Sequence, residues 1–115
     1  MNKEIEVIEA GYEYLLAYAA QGKETDLAGS GMSEVRQTLT SMAGTLTEII
    51  TIHKATPISF SWVLVDDAKK AYAAIDLVLT QKNISSEIVD NLNASIHLRA
   101  LLTDLFLLSE AETKS

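Results

Sequence analysis

The sequence contains no cysteine. That single absence removes disulfides, thiolate nucleophiles, cysteine-held zinc and iron–sulfur clusters together, and it is in keeping with a reducing, cytoplasmic setting. Proline occurs once and glycine five times in 115 residues, which leaves long uninterrupted stretches and favours helices over a many-turned β fold. Only two histidines are present, His53 and His97, so a histidine-rich metal site is excluded. The Glu-x-x-His pairs of a carboxylate-bridged metal bundle do not occur either. Bases number nine against sixteen acids and are scattered, with Lys69 and Lys70 as the adjacent pair. A formal charge of −7 opposes binding to phosphate backbones or to an anionic membrane. The same charge has a plainer use, because it keeps an apolar chain in solution.

Long hydrophobic runs are missing too. The longest, around Leu101 to Leu108, is interrupted by Thr103 and Asp104 and is too short to span a bilayer. The first residues, Met-Asn-Lys-Glu, turn amphipathic at once, so no signal peptide is expected. What the sequence does hold is apolar residues, 48% of the total, enough for one core and one domain over residues 1–115.

Those residues recur at helical spacing. Over residues 2–21, Ile5, Ile8, Tyr12, Leu15 and Ala19 share one face while Glu6, Glu9 and Glu13 share the opposite one, and Gly22 supplies a stop. Residues 22–32, with Gly29-Ser30-Gly31 inside them, read as a loop that is long for a helical bundle. The Gly-Ser-Gly triplet resembles a phosphate cradle only superficially, lacking a flanking strand, a third spaced glycine and a placed lysine. Ser33 suits the N-cap of a second helix, after which Val35, Leu39, Met42, Leu46, Ile49 and His53 alternate spacings of four and three. Thr45 to His53 is also rich in β-branched residues, and pairing with Ile58 to Val65 as a β-hairpin within 45–65 is the competing reading. Thr56-Pro57 marks the start of a third helix, with Leu64, Ala68, Ala71, Ile75 and Val78 as its stripe, widened by Val65, Tyr72 and Leu79. Trp62 and Val63 fall off that stripe, which argues for a later start. Asn83 and Ser85-Ser86 mark the next turn, and Ile88 to Glu110 reads as one fourth helix, with 111–115 as a frayed tail. Short connections make neighbours antiparallel, so the expected fold is an all-α, up-down-up-down four-helix bundle.

No catalytic constellation emerges. Gly-x-Ser-x-Gly is absent, and the residues after His53 do not match a phosphotransfer histidine, so no catalytic residue, cofactor or metal is assigned. Tyr12, His53 and Arg99 fall on otherwise apolar stripes and are candidate polar contacts in a core or pocket. The plainer readings are a hydrogen-bonded buried histidine, with Glu110 as a suggested partner, and an ion pair of Arg99 with Glu9 or Glu13. His97 and Asp104, two turns apart, read as a solvated strip.

Two helices carry more apolar surface than one core face needs. Val7, Gly11, Tyr14 and Tyr18 form a second stripe on helix 1, and Ala94, Leu98, Leu101, Leu105 and Leu108 one on helix 4, distinct from Ile88, Leu92, Ile96 and Phe106. Left in water they would make a patch of about several hundred Å2, which monomers rarely tolerate. Val7, Tyr14, Tyr18, Leu98, Leu101, Leu105 and Leu108 are therefore the candidate interface of a homodimer, against the alternative of one wide core. A four-helix bundle serves unrelated functions, and the leading expectation is a non-catalytic interaction or regulatory module. The alternatives are a small acidic inhibitor of the immunity or antitoxin type meeting a basic protein partner, and a binder of a small apolar ligand in the bundle core.

Overall fold

Five helices account for the chain in a computed structural model that describes residues 2–27, 31–56 and 58–114. They are α1 (Asn2–Ala19), α2 (Glu34–His53), α3 (Phe60–Leu79), α4 (Ser86–Ala94) and α5 (His97–Lys114). Among the described residues there is no strand, and Thr45 to His53, the segment with the β-rich alternative, lies inside α2. Here the spacing of four and three outweighs β propensity, because all six residues of the α2 stripe are buried against other helices.

The second and third helices follow the sequence closely, whereas α1 turns part of its second stripe inward and leaves Ile5, Tyr12 and Ala19 only partly buried. Ile8, Leu15 and Tyr18 of α1 are buried together with Gly11. A Cβ at Gly11 would stand 2.5 Å from Met42 Sδ, so this glycine is what lets α1 lie so close to α2. Ser33 caps α2 by accepting the Arg36 N–H at 3.2 Å. The α3 stripe of Leu64, Ala68, Ala71, Ile75 and Val78 is buried throughout. That helix starts at Phe60, later than Thr56 would place it, and Pro57 lies outside the described residues, as do Gly29 and Ser30.

The fourth helix departs from expectation. It is two helices, α4 and α5, separated at Ser95–Ile96, where Ile96 holds φ at +60°. Asn91, Asn93 and Ser95 crowd the preceding turn with poor helix formers, and Ser95 Oγ donates to the Leu92 carbonyl at 2.6 Å, competing with helix continuation. The chain restarts in a new rotational phase. Leu98, Leu101, Leu102, Leu105 and Leu108 therefore enter the core, while Ile96 and Phe106, assigned to the core by an unbroken helix, face solvent. At its far end α5 remains helical through residues 111–114, where a frayed tail was expected.

α2 packs on α3, α3 on α5, and α1 on α2, α4 and α5, giving a rod of 48 × 22 × 22 Å. One end of that rod is bound together by polar groups. Asp26, in the α1–α2 connection, accepts from Arg36 Nε at 2.8 Å, Ser33 Oγ at 2.7 Å and the Ile84 N–H at 2.7 Å. Arg36 then donates to the carbonyls of Leu79, Gln81 and Lys82, capping α3 where its own backbone leaves acceptors open. Tyr18 donates its hydroxyl to the Ile84 carbonyl at 2.6 Å, and Ser86 Oγ donates to the Tyr18 carbonyl at 2.7 Å. Burial alone would raise the Asp26 pKa, but the donors from Ile84, Ser33 and Arg36 outweigh it and hold the carboxyl below its usual range.

Two expectations follow from these features. Asp26→Ala strands Arg36 and the buried Ile84 N–H, and should cost about 3–5 kcal/mol in urea unfolding. Since the folded pKa of Asp26 is depressed, its contribution is complete above the unfolded value of about 4 and is lost as pH falls through the lower folded value. Ile96→Gly should stabilise the protein by about 1 kcal/mol in the same assay, because a β-branched residue at φ +60° is strained and its side chain, 59% exposed, contributes little packing.

Candidate functional site

The opposite end of the rod, where α2 finishes, α3 begins and α5 finishes, gathers exposed apolar side chains instead. It grows out of the α2–α3 connection. Because α3 waits until Phe60 to begin, Ile58 is left in the connection and Trp62 falls in the first turn on the outer side of the helix, away from the Leu64 stripe. Trp62 is 68% exposed, and Ile52, Ile58 and Leu107 are likewise mostly exposed. Scattered exposed apolar residues are ordinary, but these gather.

Three concavities link them. One of about 540 Å3 runs past His53, Ile58, Trp62 and Val65. A second of about 320 Å3 is lined by Ile58, Phe60, Leu107 and Leu108, and a third of about 210 Å3 by Ile49, Ile52 and His53. The first and second share Ile58, the first and third share His53, and the second and third share Glu112. They ring a single end of the molecule. Lys54 and Lys69 stand on one side of that ring, with Asp66, and Glu4 and Glu112 on the other.

His53 is the buried polar member, 9% exposed, at the last turn of α2. Burial holds its pKa below the ordinary value, against the opposing pull of Glu112 and Glu4, so the ring is neutral at pH 7. Among the described residues no hydrogen bond reaches its imidazole. The carboxylates facing it are Glu4 and Glu112, and Glu110, suggested by the sequence, is not among the groups acting on it.

The other candidate residues are dispersed. Arg99 is exposed at the start of α5, beside Ile96, so the partnership with Glu9 or Glu13 that burial would have demanded does not arise. Tyr12 is half-buried on α1, packed against the core. His53 and Arg99 sit near opposite ends of α5, roughly 20 Å apart at 1.5 Å per residue, so Tyr12, His53 and Arg99 do not form one pocket. Of the expected interface, Tyr18, Leu98, Leu101, Leu105 and Leu108 are buried in the core of this same chain. For the leucines the reason is the helix break, which rotates them inward, and for Tyr18 it is the hydrogen bond of its hydroxyl to the Ile84 carbonyl. Val7 and Tyr14 are half-buried along an open groove of about 400 Å3 between α1 and α2. Burial, followed by the nearby Glu34 carboxylate, pushes the Tyr14 hydroxyl up to about 12. Glu6, Glu9 and Glu13 are exposed in a row on α1.

The apolar end escaped the sequence reading, although one signal pointed to it: a lone tryptophan off the core stripe of its helix. Among the described residues no group of three or more His, Asp or Glu side chains is placed to hold a metal ion. No described helix is long and apolar enough to cross a membrane. Comparison of the chain with protein-family models, curated proteins and solved structures returned no match.

Burial of the α5 leucines has a direct consequence. The double substitution Leu101→Glu with Leu105→Glu should abolish cooperative unfolding in circular dichroism, since two unpaired charges would enter a core from which both wild-type side chains exclude water completely. An interface stripe would instead give a folded, dissociated protein.

Proposed function

We propose that this chain is a non-catalytic helical interaction module of the reducing cytoplasm that works as a homodimer through its apolar end. Taken with α4 and α5 as one broken helix, its architecture is an antiparallel four-helix bundle. The observation that carries the reading is Trp62, two-thirds exposed among Ile52, Ile58 and Leu107 over three connected concavities. Together these side chains make an apolar patch on the order of a few hundred Å2, and exposed tryptophan in such a setting is typical of interface anchors.

Charge favours a second copy as the occupant. The whole chain carries −7, so two copies repel over most of their surface. At this end Lys54 and Lys69 nearly balance Glu4, Asp66 and Glu112. With Lys54 and Lys69 beside Asp66 on one side of the ring and Glu4 and Glu112 on the other, a two-fold axis through it sets the lysines of one copy against the glutamates of the other.

A second reading, a small acidic inhibitor of a basic protein, draws on the exposed row Glu6, Glu9 and Glu13 and on Glu34 across the groove from it. It places the contact on α1 and α2 instead, and predicts a strongly salt-dependent association with the basic partner.

Sedimentation equilibrium separates the two. The wild type should be a dimer at micromolar concentration, and Trp62→Glu and Ile58→Glu should each give a folded monomer whose unfolding midpoint, unlike that of the wild type, does not depend on protein concentration. Glu9→Lys with Glu13→Lys should leave the dimer intact. A wild type that stays monomeric at every concentration rejects the homodimer and leaves the acidic face as the surface to pursue.

A further inference from the structure

Asp104, one turn before Leu107 and Leu108, stands in the contact between α3 and α5. Its Oδ2 is shut off from solvent and meets no hydrogen-bond donor among the described residues. A carboxylate oxygen in that situation forgoes both water and a protein donor, which is costly. The group beside it is another acid, Asp67 of α3, itself half-buried and within hydrogen-bonding reach. Two carboxylates so placed cannot both stay ionised, and one proton held between them supplies the donor that the geometry lacks.

We propose that Asp67 and Asp104 share a proton across the α3–α5 contact, forming a latch that holds α5 against α3 in mild acid and loosens as the proton is lost. Burial, followed by the hydrogen bond and the charge of Asp67, raises Asp104 from its ordinary value to about 7, so the latch works around neutrality. Of the remaining charged groups among the described residues, Lys70 feels the charge of Asp67 but makes its ion pair with Asp66. On α3, Lys70 closes on Asp66 at 3.1 Å, and Lys69 lies on the side of the helix that lines the His53 concavity. On α5, His97 and Arg99 stand toward the helix start, Arg99 bordering the same shallow concavity as Asp104. α4 carries Glu87 and Asp90 at exposed positions, and α1 carries Tyr12 and exposed Glu9. Asp67 is the charged group that acts on the Asp104 carboxyl.

The sign is opposite to that of Asp26. An acid with a raised folded pKa binds a proton in the native state that the unfolded chain has already released. Stability therefore falls as pH rises from the unfolded value of about 4 to the folded value of about 7, and levels off above it. His53, held below its ordinary value, contributes the reverse slope below about pH 6.5, so the latch is read as a difference between the wild type and a variant in which His53 is unchanged.

The decisive experiment follows the Asp104 carboxyl carbon by NMR across pH 3–9, together with thermal unfolding of the wild type and Asp104→Asn. The carbon should titrate near neutrality in the wild type and at distinctly lower pH in Asp67→Asn. Between pH 4 and pH 7 the wild-type midpoint should fall by roughly 5–10 °C relative to Asp104→Asn, and α5 amide protection at Leu105 to Leu108 should drop over the same range. A wild-type Asp104 that titrates near 4 overturns the latch outright. An Asp104 that still titrates near 7 in Asp67→Asn assigns the shift to burial alone and overturns the shared proton. The titration needs only the wild type, so a variant that fails to fold does not block the test.

Discussion

The carboxylate of Asp26 receives one donor from the start of α2, one from the guanidinium that caps α3, and one from the backbone just before α4. Its side chain is 1% exposed and that of its ionic partner Arg36 20%. A charge this buried is tolerable only when its lone pairs are filled, and here the donors come from the α2 N-cap, from α2 itself and from the α3–α4 connection. The α1–α2 connection, otherwise free to wander, is thereby fixed to the α3–α4 turn, and the backbone pairing of Lys23 with Ser86 follows from the same registration. The start of α2, the end of α3 and the start of α4 are set by one acid.

The rod is consequently asymmetric. Polar groups at the Asp26 end satisfy one another, whereas the end around Trp62 exposes apolar surface beside a buried histidine. Packing along the length joins the two, with Gly11 allowing α1 to settle on Met42 and the α5 leucines closing the remaining side. Where polar groups are already saturated there is little left for a partner to recognise; where large apolar side chains stay exposed, their burial on contact is the gain still open. The Asp67–Asp104 contact lies between these regions, on the helix that carries Leu107 into the apolar ring.

Helix identity was legible in the sequence wherever burial follows a regular repeat. The α2 stripe from Val35 to His53 and the α3 stripe from Leu64 to Val78 are core residue for residue, and Ser33 caps as its position suggests. Reading failed at Ser95–Ile96, where neither glycine nor proline announces a break and an isoleucine takes a backbone conformation it disfavours. That one error inverted the assignment of the last helix, sending Ile96, Arg99 and Phe106 to the core and Leu98, Leu101, Leu105 and Leu108 to an interface. The Asp26 network was illegible for a different reason: its members, residues 26, 36 and 84, carry no periodic signal and meet only once the helices have packed. Trp62 was visible as an anomaly, but a spacing argument identifies what a side chain avoids and not what it joins.

The spacing of those network partners along the chain bears on the order of folding. Tyr18 reaches Ile84 across 66 residues and Ser86 reaches Tyr18 across 68, whereas α2 and α3 are joined by a short connection and form the most extensive helix pair. Closing the shorter loop forfeits less chain entropy, so the α2–α3 hairpin is the natural nucleus and α1 docks afterwards. On this route the polar end is sealed last. Contacts made after the barrier chiefly slow escape from the native state, so Asp26 acts less as a guide to folding than as a brake on unfolding.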